Sequence, residues 1–211
     1  LRESLGKELG MSSRNGKSPV VLQDVDMDVL PSKKDAERVA LVIFSSNSSL
    51  CGAFNANVIR KFNETLALLL EHGYEMKDID VFAVGKKAAD AAVKAGFSLE
   101  EDFSDLADKP TYDRAVDLAS ELIDRFSEGE VEQVIFIYSH MASTSSQPVI
   151  RENYLPLALH DYASGAYPED YILEPDPMSL VKELLPKVLL LKMYTVVLDA
   201  NAAEHAARTV A

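Results

Sequence analysis

The sequence has few of the features on which secreted or membrane-spanning proteins depend. It contains one cysteine in 211 residues, so no disulfide bond can form within the chain and nothing favours secretion. No stretch approaches the roughly 18 uncharged apolar residues of a transmembrane helix. The opening residues lack the apolar segment of a signal peptide. We therefore expect a location on the cytosolic side of the membrane.

Basic residues are also scarce. The chain has 21 Lys and Arg residues against 34 Asp and Glu residues, which gives a net charge of −13. Nucleic-acid binding depends on basic patches that neutralise phosphates, and anionic membrane surfaces attract the same positive charge. The charge therefore argues against both and favours protein partners. The hydrophobic content of 47% is enough to fill a core.

Apolar strands alternate with amphipathic helices over residues 38–175. The clearest predicted strands are Arg38–Ser45, Ile79–Gly85 and Gln133–His140, and further strands are predicted at Pro148–Leu157, which could run antiparallel to its neighbour, and Tyr171–Pro175. Such alternation is typical of a parallel sheet with crossover helices. We expect a central α/β domain with a Rossmann-like, mixed but mostly parallel sheet and flanking helices. Residues 1–37 show no clear element, and Leu99–Asp108 is expected to be an acidic connection.

The end of the chain, residues 176–211, predicts a different structure. Asp176 is suited to cap a helix whose first residue is Pro177. Two rows of residues recur at intervals of seven, the spacing of a coiled-coil seam: Leu184, Leu191 and Leu198, and beside them Val181, Val188, Thr195 and Ala202. Pro186 should kink or restart the helix. Because no Gly or Pro stops the pattern, we expect the chain to end inside a longer helix.

The loop Ser45–Asn55 lies between a strand and a helix, where α/β proteins bind phosphate or place a nucleophile. A phosphate-binding loop needs several glycines and a lysine, but this loop has only Gly52 and no lysine. The dinucleotide motif G-x-G-x-x-G and the nucleophile motif G-x-S-x-G are absent. Cys51, at the start of a helix, remains a candidate nucleophile. A small cytosolic α/β enzyme or nucleotide-binding domain using this loop therefore stays open.

Other candidate sites are weaker. The histidines are scattered without metal-ligand spacing, so we expect neither a metal nor a cofactor. Glu204 and Arg208 stand four residues apart on the last helix, where they form either a surface ion pair or a polar contact across a helix or subunit interface. A further alternative is a stand-alone α/β scaffold, which requires the last helix to pack back on its own sheet.

The Ser45–Asn55 loop resembles the signature of the gamma subunit of F-type ATP synthases, which typically reads Ser/Thr-Asp-x-Gly-Leu-Cys-Gly-x-x-Asn. The matching residues are Ser46, Leu50, Cys51, Gly52 and Asn55, while Asn47 and Ser49 replace the usual Asp and Gly. The resemblance continues in "VFAVGKKAAD", in "YILEPDP" and in the run from Leu184 to Arg208, and covers roughly Val39 to the end. The family's long opening helix and most of its closing helix are missing, so the chain resembles an excised central domain, with 176–211 the start of a helix from an antiparallel coiled coil.

The resemblance implies a rotor subunit in the central stalk, with no active site of its own. Such a subunit couples proton flow through the membrane ring to conformational cycling of the catalytic beta subunits. The implied partners are the alpha and beta subunits of the catalytic hexamer, the epsilon subunit and the membrane c-ring. The chloroplast form of the subunit carries a regulatory cysteine pair, whereas this chain has only Cys51, so the resemblance favours the bacterial type. The implied location is therefore the cytoplasmic face of the bacterial inner membrane.

In this family the loop faces the beta subunits, so the resemblance implies that Ser46, Asn47, Ser49 and Cys51 are exposed. The full set of implied interface candidates is Ser46, Asn47, Ser49, Leu50, Cys51, Gly52, Asn55, Glu204 and Arg208.

Overall fold

A four-stranded sheet lies at the centre of the domain. The computed structural model describes residues 20–21, 38–99, 101–158 and 177–211. The strands are β1 (Val20–Val21), β2 (Val39–Phe44), β3 (Ile79–Val84), β4 (Gln133–Ser139), β5 (Val149–Leu155) and β6 (Leu157–Ala158). The α-helices are α1 (Phe54–Glu71), α2 (Lys86–Lys94), α3 (Ser104–Asp108), α4 (Tyr112–Ser127) and α5 (Pro177–Val210).

The order of the strands in this sheet is β3-β2-β4-β5. Val39 in β2 lies opposite Ile79 of β3 and Gln133 of β4, in parallel on both sides, whereas β5 runs antiparallel to β4. The predicted mostly parallel sheet, with its antiparallel last strand, is therefore confirmed. Continuous apolar sequence suits these strands because helices cover both faces of the sheet.

Alternate residues of β2 enter two separate cores, as the two-residue period of a strand requires. Val39, Leu41 and Ile43 face the core that α1 and α2 cover. Ala40, Val42 and Phe44 face the opposite core, which α3, α4 and α5 cover. Helix α5 is therefore part of the domain's own packing.

Helix α5 has two apolar faces with different surroundings. One face contacts the sheet and α4 through residues such as Leu189, Met193 and Val197, which are almost fully buried. The other face carries the predicted seam, where Leu184, Leu191 and Leu198 are 44%, 58% and 41% exposed. The helix thus packs back on its own sheet and also presents an apolar seam to solvent. It continues through Pro186, so a restart there is wrong, and the alternative of a kink at Pro186 stays a prediction.

Two short elements differ from the sequence predictions. Val20–Val21 lies within the segment expected to have no element, and pairs in parallel with Leu157–Ala158. The expected acidic connection contains the short helix Ser104–Asp108. Leu106 of this helix is buried in the core that α3, α4 and α5 cover. The predicted strand at Tyr171–Pro175, the cap at Asp176 and the domain boundary near residue 175 lie outside the described residues.

Among the helices in the described ranges, none is both long and apolar enough to cross a membrane.

Candidate functional site

The Ser45–Asn55 loop caps the N-terminus of α2. The Ser45 hydroxyl accepts a hydrogen bond from the Ala88 N–H at 2.7 Å, and the Ser46 carbonyl accepts one from the Lys87 N–H at 3.2 Å. The Lys86 N–H donates to the side-chain oxygen of Asn47 at 2.9 Å. Free N–H groups at a helix N-terminus are the donors that bind phosphate. Here the first three are already bonded to the loop.

The approach of the loop to α2 depends on Gly85. This residue has a φ of +97°, and a Cβ at this position would lie 2.4 Å from the Ser45 carbonyl oxygen. A side chain therefore cannot be placed here without moving the backbone, and the φ value itself favours glycine.

Asparagine side chains hold the rest of the loop. The side-chain nitrogen of Asn47 donates to the Ser104 carbonyl at 2.7 Å, which ties the loop to α3. Asn55 closes the loop from inside, since its side-chain oxygen accepts the Ser46 N–H at 3.1 Å and its nitrogen donates to the Ser48 carbonyl at 2.9 Å. The polar groups of the loop are thus used for internal structure.

Burial separates the predicted interface residues of the loop into three groups. Ser46 is 4% exposed and Cys51 is fully buried, so the expectation that these two are exposed is wrong. Their polar atoms bond within the loop, which removes the cost of burying them. Asn47 and Asn55 are partly buried. The exposed tip, which we define as Ser49, Leu50 and Gly52, includes a leucine that is 79% exposed. Whether any of these residues contacts another subunit stays a prediction.

Cys51 lies in a small apolar cluster with Phe54 and Ala203. The side-chain nitrogen of Asn55 is 3.0 Å from its sulfur, and the Ser46 hydroxyl is 3.6 Å away. Neither group is a base that could take the thiol proton, and the buried sulfur is closed to substrate. The geometry therefore argues against Cys51 as a nucleophile.

Helix α5 occupies the crevice where Rossmann-like domains bind nucleotides. In such folds the ligand lies beyond the carboxyl ends of the strands, where the strand order reverses. That point is between β2 and β4 here. Asp199 of α5 binds the turn after β4, and Val197 and Ala200 line a small cavity together with Phe44 and Val84 at the ends of β2 and β3. The cavity left between them is only about 10 Å³. A nucleotide has no room there.

A wider groove of about 440 Å³ lies beside Asn47 and the start of α2. Its charged lining residues are Lys86, Lys87, Asp90, Glu101 and Asp102. Hydrogen bonds from Ser104 lower the pKa of Asp102, which keeps this carboxylate ionised at neutral pH. A phosphate beside the lysines would therefore meet carboxylates as well.

Glu204 and Arg208 form an ion pair within α5. The Glu204 side chain is only 8% exposed and borders the same small cavity as Phe44 and Ser45, while the Arg208 side chain is 43% exposed. The hydrogen bond to Glu204 raises the pKa of Arg208. The acid of this pair thus belongs to the domain interior, and the interface role of the pair stays a prediction.

Two polar contacts of α5 have no counterpart in the sequence predictions. Asp199 binds the turn after β4 at His140, and Asn201 binds the Ala107 carbonyl in α3. Both pairs are far apart in the chain, so no local spacing could indicate them.

Across the described residues, no group of His, Cys, Asp and Glu is placed to hold a metal ion.

Comparison of the sequence with known proteins identifies its family. The profile of a family described as ATP synthase matches residues 6–211. Curated relatives named ATP synthase gamma chain include one from Phocaeicola vulgatus, which is 45% identical over 85% of this chain.

The chain belongs to the ATP synthase gamma-chain family.

A more distant gamma chain, from Cytophaga hutchinsonii, is 31% identical over 90% of this chain. The chain spans 62% of the length of the Phocaeicola vulgatus relative and 65% of the Cytophaga hutchinsonii relative.

Solved structures support the fold of this gamma-family chain. The central stalk and c-ring of the Tetrahymena thermophila mitochondrial ATP synthase contains a chain with a TM-score of 0.58 at 18% identity, covering 82% of this chain and 74% of that one. A chain in the rotor of the Euglena gracilis mitochondrial ATP synthase has a TM-score of 0.54 at 18% identity. That match covers 99% of this chain and 78% of the other one.

Proposed function

We propose that this chain is the central-stalk rotor subunit of an F-type ATP synthase. It transmits the rotation that proton flow drives in the membrane ring to the catalytic subunits, and so couples that flow to their conformational cycle. The observation that carries the proposal is the double role of α5. Its buried face fixes it to the α/β domain, and its exposed face presents Leu184, Leu191 and Leu198 at coiled-coil spacing.

A rotor needs stiffness between its domain and its shaft. Leu189 and Met193 are almost fully buried in the core beneath α5, and Tyr154 donates a hydrogen bond from its hydroxyl to the Leu189 carbonyl at 2.9 Å. Rotation applied to the domain is therefore passed to the helix through tightly packed side chains.

The chain acts without an active site of its own. Helix α5 covers the strand ends where similar folds bind nucleotides, and Cys51 is buried without a neighbouring base. The catalytic steps then belong to the partner subunits, which are the alpha and beta subunits of a hexamer. The epsilon subunit and the membrane c-ring bind the α/β domain, on the cytoplasmic face of a bacterial inner membrane.

The exposed tip of the loop is the proposed contact with the beta subunits. Leu50 is the most exposed of the large apolar residues in the described ranges, and nothing in the domain's core depends on it. Changing Leu50 to Ser should leave the stability of the isolated chain within about 0.5 kcal/mol. In the intact complex it should weaken subunit association, whereas Ser127→Ala, at an exposed position on α4, should not. Equal association of both variants would remove the tip from the interface.

The experiment that tests the rotor proposal is affinity purification of the tagged full-length native protein from its own cells. Co-elution with an excess of alpha and beta subunits over the tagged chain, with an epsilon subunit and with ATPase activity, would support it. Elution of the chain alone, or with unrelated proteins, would contradict it.

A second measurement addresses the enzyme alternative. A specific ligand at saturating concentration would raise the melting temperature by several degrees. Because the N–H groups at the start of α2 are already bonded, we expect no shift with ATP or NAD.

A further inference from the structure

A narrow hairpin continues beyond the sheet between β4 and β5. Strand β4 ends at Ser139 and the antiparallel β5 begins at Val149. Past these strand ends, Ser143 and Ser146 pair through two backbone hydrogen bonds of 3.1 Å, so that Thr144 and Ser145 form a two-residue turn. We call residues 143–146 the hairpin tip. The sequence predictions assigned it no role.

The hairpin tip is held in place from two sides. The side-chain nitrogen of Gln147 donates to the Ser143 carbonyl at 3.0 Å and to the Thr144 carbonyl at 2.7 Å, which closes the turn from within the hairpin. At the base of the hairpin, the Met141 N–H donates to the Asp199 carboxylate of α5 at 2.9 Å. The hairpin is therefore bonded to the helix that we propose as the shaft.

The hairpin lies at the same end of the domain as the Ser45–Asn55 loop. The loop follows β2 and the hairpin follows β4, and these neighbouring strands are parallel, so both segments leave the sheet at one edge. Met141 packs against the cluster that contains Cys51 of the loop, and the same cluster includes Ala203 and Ala207 near the end of α5. A partner that contacts the exposed tip of the loop therefore also faces the hairpin tip.

The hairpin tip has polar but uncharged chemistry. Its four residues, Ser143, Thr144, Ser145 and Ser146, are all exposed, and residues 141–148 include no charged side chain in a chain whose net charge is −13. Hydroxyl groups both donate and accept hydrogen bonds. Because a hydrogen bond to a partner replaces one to water, its net gain is small. Such a surface can contact a polar partner and release it again.

We propose that the hairpin tip is a second contact of this chain with the catalytic beta subunits, beside the contact made by the exposed tip of the loop. The inference rests on the proposed rotor function, in which the beta subunits face this end of the domain. The facing beta surface offers hydrogen-bonding groups, which the four hydroxyls bind and release as the rotor passes. Since the hairpin is bonded to Asp199, force applied at its tip reaches α5.

The test is a cross-linking experiment on the whole ATP synthase with the full-length chain carrying Ser145→Cys. A photoactivated cross-linker is attached to the new thiol, while the buried Cys51 should stay unmodified. We expect light to join the chain to a beta subunit. ATP hydrolysis should then be lost in proportion to the cross-linked fraction, because the rotor is tied to the catalytic hexamer. Thr144→Cys repeats the test if Ser145→Cys fails to assemble.

Two other positions serve as controls. Ser127→Cys places the thiol on an exposed residue at the end of α4, from which the chain leads to the start of β4 at Gln133, at the opposite edge of the sheet. This variant should not be joined to a beta subunit and should keep its ATP hydrolysis after illumination. Leu50→Cys tests the neighbouring loop contact with the same reagent.

Different outcomes overturn the hairpin contact and the rotor function. If Ser145→Cys and Thr144→Cys leave the beta subunits unlinked in complexes that contain the chain, or are joined to another subunit instead, the hairpin contact is wrong while the rotor function stands. If the full-length chain does not purify with alpha and beta subunits at all, the rotor function itself is wrong.

Discussion

Gly85 lies directly against Ser45, so closely that a Cβ on the glycine would be 2.4 Å from the serine carbonyl oxygen. This approach brings the end of β2 to the start of α2 and allows Ser45, Ser46 and Asn47 to cap that helix. The loop that looks like a phosphate site in the sequence is thus a structural joint. Its capping bonds occupy the donors that a phosphate would need.

Replacing Gly85 by Ala should destabilise the protein by about 3–5 kcal/mol, because the added Cβ clashes with Ser45 and the φ value is unfavourable for alanine. Gly96→Ala is a matched control. Gly96 has nearly the same φ, +98°, but a Cβ added there would meet nothing within 4 Å, so only the conformational cost of about 1–2 kcal/mol applies. Urea unfolding of both variants gives the comparison, and equal losses would show that the close approach has no energetic role.

Cys51 should be unreactive toward thiol reagents in the folded protein, because its side chain is fully buried. Since the chain has a single cysteine, the number of thiols modified per chain reports on this residue alone. We expect labelling to follow the unfolding transition when urea is added. Fast labelling without denaturant would mean that the sulfur is accessible, and would revive Cys51 as a nucleophile.

Met193 and Leu191 lie two residues apart on α5 but on different faces. Met193 is fully buried and Leu191 is 58% exposed. In this chain, Met193→Ala should cost about 2–5 kcal/mol of unfolding free energy, while Leu191→Ala should cost no more than about 0.5 kcal/mol. The proposed coiled coil predicts that Leu191→Ala costs more in the full-length protein, where a second helix would cover the seam. An equal cost for the two variants in the present chain would contradict the assignment of the faces.

Alkaline pH should unfold the protein through its buried tyrosines. Burial raises the pKa of Tyr138 and of Tyr154 above the ordinary value of 10.0. A folded-state pKa above that of the unfolded chain means that the contribution to stability is complete below about pH 10 and is lost as the pH rises further. The sequence has no tryptophan, so tyrosinate absorbance can be followed directly. Ionisation of all tyrosines near pH 10 without unfolding would contradict this prediction.

The regular elements could be predicted because their signals are local. The apolar run at Val39–Phe44 predicts a strand buried on both faces, which is confirmed. The seven-residue spacing of Leu184, Leu191 and Leu198 identifies one face of α5, which is exposed, and the coiled coil that this spacing indicates stays a prediction. Each signal depends on neighbouring residues only, so one sequence is enough to read it.

The loop could not be predicted in the same way. Ser46 and Cys51 are small and look suited to the surface, but Asn55 supplies the hydrogen bonds that allow the loop to be buried. The bond from Asn47 to Ser104 joins residues far apart in the chain, which no spacing indicates. Helix α5 likewise continues through Pro186, although proline removes a backbone hydrogen bond of the helix.

The most direct test of the rotor function is to watch the domain turn. Ser127, on the exposed end of α4, can be changed to Cys and labelled with a visible probe, since the native Cys51 is buried and should not react. The labelled full-length chain is then placed in the whole complex, with the catalytic hexamer fixed to a surface. The rotor function predicts that the probe rotates in one direction when ATP is added and stops when ATP is removed. A probe that stays still while the same complexes hydrolyse ATP would contradict it.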